Sequence, residues 1–373
     1  STVYKGVRQS AAIAYLNNVP NNLTVRTDTR IARILLKKEK AIGIETTNGE
    51  KILANKEVII CQGAFATPQL LMLSGIGEAD HLRSHGIDPV LNLPGVGQNL
   101  ADHLDVSIQY GSTRMDLSSA QYQRLDKAAL LMGKWLLNGS GPGGGSLFST
   151  VLFHALEDPL MPELQVYMTP MIIDENFDNG ENERVPFLQR LGRKLLVRGR
   201  KVARPGIQID INQERPKSLG NVRLLSSDPL QYPMIDPNYL ADTRDLTELV
   251  RGVKDMRDVM SQPNISQFLT KEQGVWADAK TDKEIIAAIR ETAYTGHHPC
   301  STARMGSNSD STAVLDGELK VRGIEGLRVC DASAMPTQIT GNLYATVVAM
   351  AEKASDMVLG RSALMPEYKD EGG

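Results

Sequence analysis

The segment TGHHPCSTARMG, residues 295–306, has the clearest capacity for chemistry in this sequence, because it places His297 and His298 side by side before Pro299. An imidazole, with an unperturbed pKa of about 6.5, is the side chain best suited to accept a hydroxyl proton at neutral pH. Proline holds the residue before it in an extended backbone, and neighbouring side chains of an extended chain point in opposite directions. We therefore expect His298 to face a site and His297 to have a structural role outside it.

Cys300, two positions after His298, raises the alternative of nucleophilic catalysis with a histidine base. The spacing does not require contact, no acidic residue that would orient the histidine is evident, and no glycine-flanked serine elbow occurs. We therefore disfavour hydrolysis. The other two cysteines, Cys61 and Cys330, lie in apolar strand-like runs and are expected to be buried and inert. Three cysteines without paired spacing argue against a disulfide scaffold or a zinc site and favour a reducing compartment, with the localisation otherwise open.

A second candidate region is LRVCDASAMPTQITGNLYATVVAMAEKASD, residues 327–356. It predicts a buried strand that ends in Asp331-Ala332-Ser333, a loop over 336–341, and a helix that begins near residues 342–346 and ends at Gly360. The chain direction brings the helix start near the carboxyl end of the strand, where the ligands of open α/β sheets bind. The amide hydrogens and the dipole of a helix N-terminus favour negative charge there. An ordinary capped helix is the alternative interpretation.

The elements around these regions predict strands and helices in both flanks of the chain. The segment GAFATPQLLMLSGIG, residues 63–77, predicts a glycine turn and a short helix, in which Thr67 caps the start and Pro68 occupies the first turn. Residues 23–63 predict a β-meander that ends in a buried strand. Residues 242–260 predict an amphipathic helix packed on a sheet.

Length and composition are those of a globular protein of two domains, with 373 residues, 41% of them hydrophobic, and a net charge of −3. A basic run at 190–201 is too local to indicate a polyanionic partner, and we interpret it as a solvated face. No apolar run reaches the roughly 18–20 residues that span a bilayer. The chain opens without an initiator methionine or a signal peptide, and we expect it to be the C-terminal segment of a longer protein.

Five blocks, in this order, resemble the glucose-methanol-choline (GMC) family of flavin-dependent oxidoreductases. The segment at 63–77 is similar to the second sequence signature of that family. The other blocks are GVGQNLADH at 95–103, HHPCSTARMG at 297–306, LKVRGIEGLRVCDASAMP at 319–336 and GNLYATVVAMAEKASD at 341–356. The resemblance runs from about residue 5 to 360 and is weakest between 110 and 205.

This resemblance implies an FAD cofactor and two catalytic positions. His298 matches the catalytic histidine of the family, which would accept the proton of an alcohol hydroxyl. Asn342 matches the second active-site residue, which would hydrogen-bond the developing alkoxide while a hydride is transferred to the flavin. The helix that begins at this point would stabilise the anionic reduced flavin. The positions that match flavin contacts in the family are Ile31, Asp331, Ala332, Asn342, Leu343, Ala345 and Thr346.

The fold expected from the resemblance is mixed α/β, with a GMC-type FAD-binding domain and an inserted antiparallel-sheet substrate domain. We assign residues 1–105 to the first part of the FAD-binding domain, 106–296 to the substrate domain, 297–362 to the returning part with the catalytic residues, and 363–373 to a tail. Family members open with a strand, a G-x-G-x-x-G turn and a helix that bind the ADP part of FAD, and this pattern does not occur in the sequence. We therefore expect the N-terminal nucleotide-binding part to be missing and a companion chain to supply it.

The expected function is oxidation of an alcohol to a carbonyl compound. Two alternatives stay open: a non-redox flavin-containing lyase of the same family, and a cofactor-less assembly subunit. Aromatic residues make up only 5% of the chain, which gives no support for a cage around a quaternary ammonium group.

Overall fold

The computed structural model describes residues 3–17, 19–145, 148, 150–173, 203–362 and 364. The basic run at 190–201 and, apart from residue 364, the predicted tail at 363–373 lie outside the described residues.

Helices are interspersed with runs of strands along the described chain. The helices are α1 (Ala11–Leu16), α2 (Gly63–Leu73), α3 (Ala79–Ser84), α4 (Leu125–Asn138), α5 (Thr243–Ser261), α6 (Pro263–Ser266), α7 (Asp282–Thr292) and α8 (Leu343–Leu359). Within the described ranges, none of these helices combines the length and the apolar character that crossing a membrane requires.

The strands are short, and most of them lie before residue 113 or between 150 and 236. The first ten are β1 (Val3–Tyr4), β2 (Val7–Arg8), β3 (Ile31–Lys37), β4 (Lys40–Thr46), β5 (Lys51–Leu53), β6 (Val58–Ile60), β7 (Ile76–Gly77), β8 (Leu91–Asn92), β9 (Gln98–Leu100) and β10 (Leu104–Ser112). The others are β11 (Thr150–His154), β12 (Leu164–Thr169), β13 (Ile172–Ile173), β14 (Ala203–Arg204), β15 (Gly206–Gln213), β16 (Gly220–Arg223), β17 (Met234–Asp236), β18 (Leu269–Glu272), β19 (Tyr294–Thr295) and β20 (Leu327–Val329). The fold is mixed α/β, as predicted.

The chain divides into two compact units. The first unit contains residues 1–25, 105–213 and 246–294, and the second contains 26–104, 214–245 and 295–373. These units differ from the predicted domains in two segments. Residues 1–25 were assigned to the FAD-binding domain but lie in the first unit, and residues 214–245 were assigned to the substrate domain but lie in the second. Residues 214–245 belong to the second unit because β16 pairs with β9 as well as with β17, a pairing across more than 100 residues that no local pattern indicates.

The first unit is built on an antiparallel sheet with the strand order β11-β12-β15-β10-β18, and β19 also pairs with β10. Helix α5 packs on the apolar face of this sheet and buries Leu249 and Val253 completely. Gly252 allows the close approach, because an added Cβ would lie 2.5 Å from Leu164 and 3.1 Å from Ile211. The predicted amphipathic helix on a sheet is therefore confirmed.

In the second unit, β6 and β20 form a parallel pair, while β3, β4 and β5 form a separate antiparallel sheet. The predicted meander is wrong at both ends, since residues 23–29 form no strand and β6 pairs with β20 instead of continuing the meander. Ile60 of β6 is buried, whereas Ile59 and Cys61, which alternate with it along the chain and point to the opposite face, are exposed. The interpretation of Cys61 as a buried thiol is therefore wrong, and Cys330 is only half-buried.

Helix α2 begins five residues earlier than the sequence predicts. Thr67 lies inside the helix instead of capping it, and Pro68 occupies an interior position. Proline has no N–H to donate to the carbonyl four residues back, which belongs to Ala64. The buried hydroxyl of Thr302 donates to that carbonyl at 2.6 Å. A tertiary contact therefore replaces the missing helical hydrogen bond, and the helix continues through the proline.

Candidate active site

The loop that carries His298 is held against residues 101–103 of the second unit. Backbone groups of Cys300 and Ala101 exchange two hydrogen bonds, of 2.9 and 3.2 Å. The carboxylate of Asp102 accepts a hydrogen bond of 2.8 Å from the backbone N–H of His298. The two sequence blocks at 95–103 and 297–306 thus meet at this loop.

Asp102 is a buried carboxylate that organises the loop through several donors. Its Oδ2 atom accepts hydrogen bonds from the hydroxyls of Tyr239 and Thr295, in addition to the bond that its Oδ1 atom accepts from His298. An acidic residue that would orient the histidine is not evident from the sequence. Asp102 has that position, but it holds the backbone of His298 and not the ring.

The imidazole of His298 contacts two polar side chains, one at each ring nitrogen. Its Nδ1 atom lies 2.9 Å from Nδ1 of His103, and its Nε2 atom lies 2.9 Å from the amide nitrogen of Asn342. Burial lowers the pKa of His298 below its ordinary value, the charge of Asp102 opposes this shift, and the neighbouring His297 adds to it. The ring is therefore neutral at neutral pH and can accept a proton.

His103 is completely buried behind His298. Its Nε2 atom lies 3.0 Å from the carbonyl oxygens of both Glu214 and Ile339. Burial, assisted by His298, lowers the pKa of His103 to about 4. His103 is thus a neutral ring whose position is determined by backbone groups from two other segments.

Glu214 is a buried carboxyl group at the same place. One of its oxygens accepts a hydrogen bond from the backbone N–H of Gly341, and the other has no partner among the described residues. Burial raises the pKa of Glu214 to about 7, although the Gly341 N–H and the charge of Arg215 act in the opposite direction. Through this contact Glu214 holds the residue that directly precedes Asn342.

Asn342 is the N-cap residue of α8, within the range in which the sequence predicts the helix start, but its side chain makes no capping hydrogen bond. The amide points to His298 instead. The first turn of the helix is therefore not capped by this side chain, although Asn is a favoured capping residue. The predicted flavin-contact residues in this turn differ in exposure: Leu343 is buried, Thr346 is half-buried and Ala345 is exposed.

Asp331 follows β20 and joins two distant segments of the second unit. One carboxylate oxygen accepts hydrogen bonds from the Gly63 N–H at 2.9 Å and the Thr67 hydroxyl at 2.6 Å. The other oxygen accepts from the N–H and the hydroxyl of Ser333, within the turn Ala332–Ala334. This carboxylate orders the start of α2 and the turn after β20, so its four bonds have a structural role.

His297 differs from His298 in backbone and in surroundings. It has a φ of +60°, in the left-handed region, and its N–H donates to the hydroxyl of Thr295. It lines a cavity of about 500 Å³ in the second unit, together with Phe65, Leu100, Asp102, Ile235, Pro237, Tyr239, Thr295 and Pro299. The two histidines thus have different partners, and the left-handed backbone at His297 contributes to this in addition to Pro299.

Cys300 does not fit the role of a nucleophile. Its side chain is completely buried and its thiol donates a hydrogen bond to the amide oxygen of Gln338. Burial raises the pKa of the Cys300 thiol to about 12, so the reactive thiolate does not form at neutral pH. Across the described ranges, no group of three His, Cys, Asp or Glu side chains could hold a metal ion.

The structure brings together some of the predicted residues and separates others. His298 and Asn342 are in contact, and Asp331 and Ala332 lie at the turn beside the start of α2. Ile31 lies at the start of β3, on a different sheet. Three residues of the site were not predicted from the sequence: Asp102, His103 and Glu214. The block at 95–103 could have indicated Asp102 and His103, because it ends in an Asp-His pair, which is unusual in a buried segment. No local pattern distinguishes Glu214.

Two models of the GMC oxidoreductase family match this chain. The model of the N-terminal region matches residues 2–105, and the model of the C-terminal region matches residues 216–351. His103 lies in the first match and His298 in the second, so the contact between them joins both regions. The expectation that the N-terminal part of the family is missing is not confirmed, and with it the reason to expect a companion chain is lost.

Several similar proteins support the same assignment. The chain is 38% identical over 379 residues to mitochondrial choline dehydrogenase of Homo sapiens, covering 99% of this chain and 60% of the human protein. It is 35% identical over 367 residues to oxygen-dependent choline dehydrogenase of Escherichia coli, covering 96% and 62%. A solved structure of formate oxidase of Aspergillus oryzae, which concerns FAD modification, superposes with a TM-score of 0.79 at 26% identity. The match covers 96% of this chain and 64% of the formate oxidase chain. The chain thus spans less than two thirds of the length of these relatives. The fold is mixed α/β, and His298 and Asn342 are in contact at the start of α8. Because the models of both family regions match it, this chain belongs to the GMC oxidoreductase family.

Proposed function

We propose that this chain takes part in the FAD-dependent oxidation of an alcohol to a carbonyl compound, with His298 as the base and Asn342 as a hydrogen-bond donor to the alcohol oxygen. The observation that carries the proposal is the convergence of the two side chains: Nε2 of His298 lies 2.9 Å from the Asn342 amide nitrogen. A base and a donor this close can act on the same hydroxyl group.

The roles of the two residues follow from their chemistry. His298 is neutral at neutral pH, because burial lowers its pKa, and it can therefore take the hydroxyl proton. The Asn342 amide donates a hydrogen bond without changing its charge, and this bond strengthens as negative charge develops on the oxygen. Asp102 holds the backbone of His298 in place and its charge partly offsets the effect of burial.

The residues at the start of α8 and α2 fit an FAD molecule. The first turn of α8 is not capped by Asn342, so its amides are suited to an anionic group. Gly63 and Gly341 have φ values of +79° and +86°, and an added Cβ would meet no atom within 4 Å at either one, which leaves open space beside the backbone. When bound, the flavin supplies the two-electron acceptor that the oxidation needs.

The residues that would hold the flavin are those expected from the family. The side chain of Asp331 is fully occupied, so Asp331 and Ala332 would contact the cofactor through their backbone. In α8, Leu343, Ala345 and Thr346 supply the first-turn amides, and Ile31 would contact the adenine through its backbone.

The names of the relatives favour oxidation over the alternatives. The relatives described above are dehydrogenases and an oxidase, and no lyase or assembly subunit is among them. The human and bacterial relatives are choline dehydrogenases, so choline and other small primary alcohols are the first substrates to test.

The test is the substitution His298→Ala, assayed with a series of alcohols, once with oxygen and once with an artificial electron acceptor. Turnover is expected to fall at least about 10²-fold, which is the contribution of a positioned base. The matched control is His85→Ala, since His85 lies at the end of the surface helix α3 and has no part in the site. Normal turnover in His298→Ala, with bound flavin retained, would refute the proposal.

A further inference from the structure

The hydrogen-bond partners of Nε2 of His103 determine which ring nitrogen of His103 carries the proton. Its Nε2 atom lies 3.0 Å from two carbonyl oxygens, those of Glu214 and Ile339. Carbonyl oxygens only accept hydrogen bonds, so Nε2 of His103 must carry a hydrogen. A neutral imidazole has one N–H, which leaves a lone pair on Nδ1.

The lone pair of His103 in turn determines the proton of His298. The two Nδ1 atoms are 2.9 Å apart, a hydrogen-bond distance that two lone pairs cannot share. With His103 neutral, the hydrogen must belong to His298. The burial of His103 among backbone groups lowers its pKa to about 4, in agreement with a neutral ring.

We propose that His103 is a positioning residue that holds the proton of His298 on Nδ1 and thereby leaves the lone pair of His298 on Nε2, toward Asn342. This inference rests on the proposed function, because it assigns the base its reactive nitrogen. The contact at the other end of the ring agrees with this tautomer, because the Asn342 amide nitrogen donates and Nε2 accepts. Asn342 does not impose the tautomer, since a rotation of its amide by 180° would offer the amide oxygen to an Nε2–H group instead.

A neutral histidine beside Nδ1 of His298 affects the pKa of that ring differently from a carboxylate at the same position. A carboxylate next to Nδ1 would orient the ring and also raise its pKa, whereas His103 orients it without adding a negative charge. The charged and titratable groups that face His298 are Asp102 at its backbone, His297 beside it in the chain, and His103 at its ring. The arrangement therefore yields a base that is oriented but not made more basic by its ring partner.

Nitrogen NMR tests the inference directly, independently of catalysis. The six histidines of the full chain are labelled with ¹⁵N, and the tautomer of His298 is measured at pH 8, with its signals identified by their loss in His298→Gln. We expect the Nδ1–H form. The Nε2–H form in the unsubstituted protein would overturn the inference, whatever the activity of the protein.

Variants at position 103 separate a positioning role from a purely structural one. His103→Leu removes the acceptor, and we expect the His298 proton to move to Nε2 and kcat/KM to fall at least about 10²-fold through kcat, with little change in KM. His103→Gln retains an acceptor and a donor and should recover most of the activity and the Nδ1–H form. His85→Leu is the matched control and should leave the spectrum of His298 unchanged.

The activity assay and the spectra distinguish the two proposals. An unchanged His298 tautomer in folded His103→Leu would contradict the role of His103, whatever the activity. If the Nδ1–H form is observed but no alcohol is oxidised, the role of His103 in orienting the ring is supported and the proposed function fails.

Discussion

The basicity of His298 depends on opposing effects of its surroundings. Burial lowers its pKa, and the charge of Asp102 raises it. The proposed base would act only when it is unprotonated, so kcat/KM is expected to rise with pH through its pKa. Since this pKa is lowered from the ordinary value of about 6.5, the midpoint of the rise should lie on the acidic side of that value.

We predict that Asp102→Asn moves this rise to lower pH. The substitution removes the negative charge that stabilises protonated His298, so the pKa of His298 should fall further. The measurement is the pH profile of kcat/KM between about 4.5 and 8. The control is Tyr239→Phe, which removes one hydrogen bond to the same carboxylate and leaves its charge. A shift to higher pH in Asp102→Asn would contradict this account.

Helix α2 contains a proline whose missing hydrogen bond is replaced from another segment. The hydroxyl of Thr302 donates to the Ala64 carbonyl, which Pro68 leaves without its helical partner. The same loop carries His298, so the helix and the candidate active site share one contact. Stability of α2 and position of the loop are therefore coupled.

We predict that Thr302→Val lowers the free energy of unfolding by about 1–3 kcal/mol, because it leaves a buried carbonyl without a donor. Pro68→Ala restores a backbone N–H that can donate to Ala64 within the helix. In a double-mutant cycle measured by urea unfolding, Thr302→Val should therefore cost less when combined with Pro68→Ala. Additive effects of the two substitutions would contradict the proposed link.

Contacts over long sequence separations hold the second unit together. Asp331 accepts hydrogen bonds from Gly63 and Thr67, which lie more than 260 residues earlier in the chain. Asp331 follows strand β20, which runs parallel to β6. The two strands of a parallel pair always need a long connection between them. The start of α2 is therefore positioned by a residue from the far end of the sequence.

We predict that Asp331→Ala lowers the free energy of unfolding of the flavin-free chain by at least about 3 kcal/mol, since four donors lose a buried acceptor. Asp316→Ala is the matched control. Asp316 also accepts two backbone hydrogen bonds, but both come from residues two and four positions later. Its loss should cost about 1 kcal/mol or less, and equal effects of the two substitutions would contradict the role of Asp331 in joining distant segments.

The sequence was most informative where the structure depends on neighbours in the chain. The helix α8, its start within residues 342–346 and its end at Gly360 were predicted correctly, as was the amphipathic helix α5. The start of α2 was not, because a proline usually marks a helix start and the contact with Thr302 that permits its interior position lies far along the chain. The exposure of Cys61 was missed for a similar reason, since it depends on which face of β6 the rest of the chain covers.

For the candidate active site, the residue types and their order along the chain were sufficient to indicate the family and to single out His298 and Asn342. The partner of His298, its proton arrangement and its lowered pKa could not be obtained in this way. His103 is 195 residues away, and its neutral state results from burial among the backbone carbonyls of Glu214 and Ile339. Helix ends and residue order follow from local backbone preferences, whereas burial and contacts between distant segments exist only after the chain has packed.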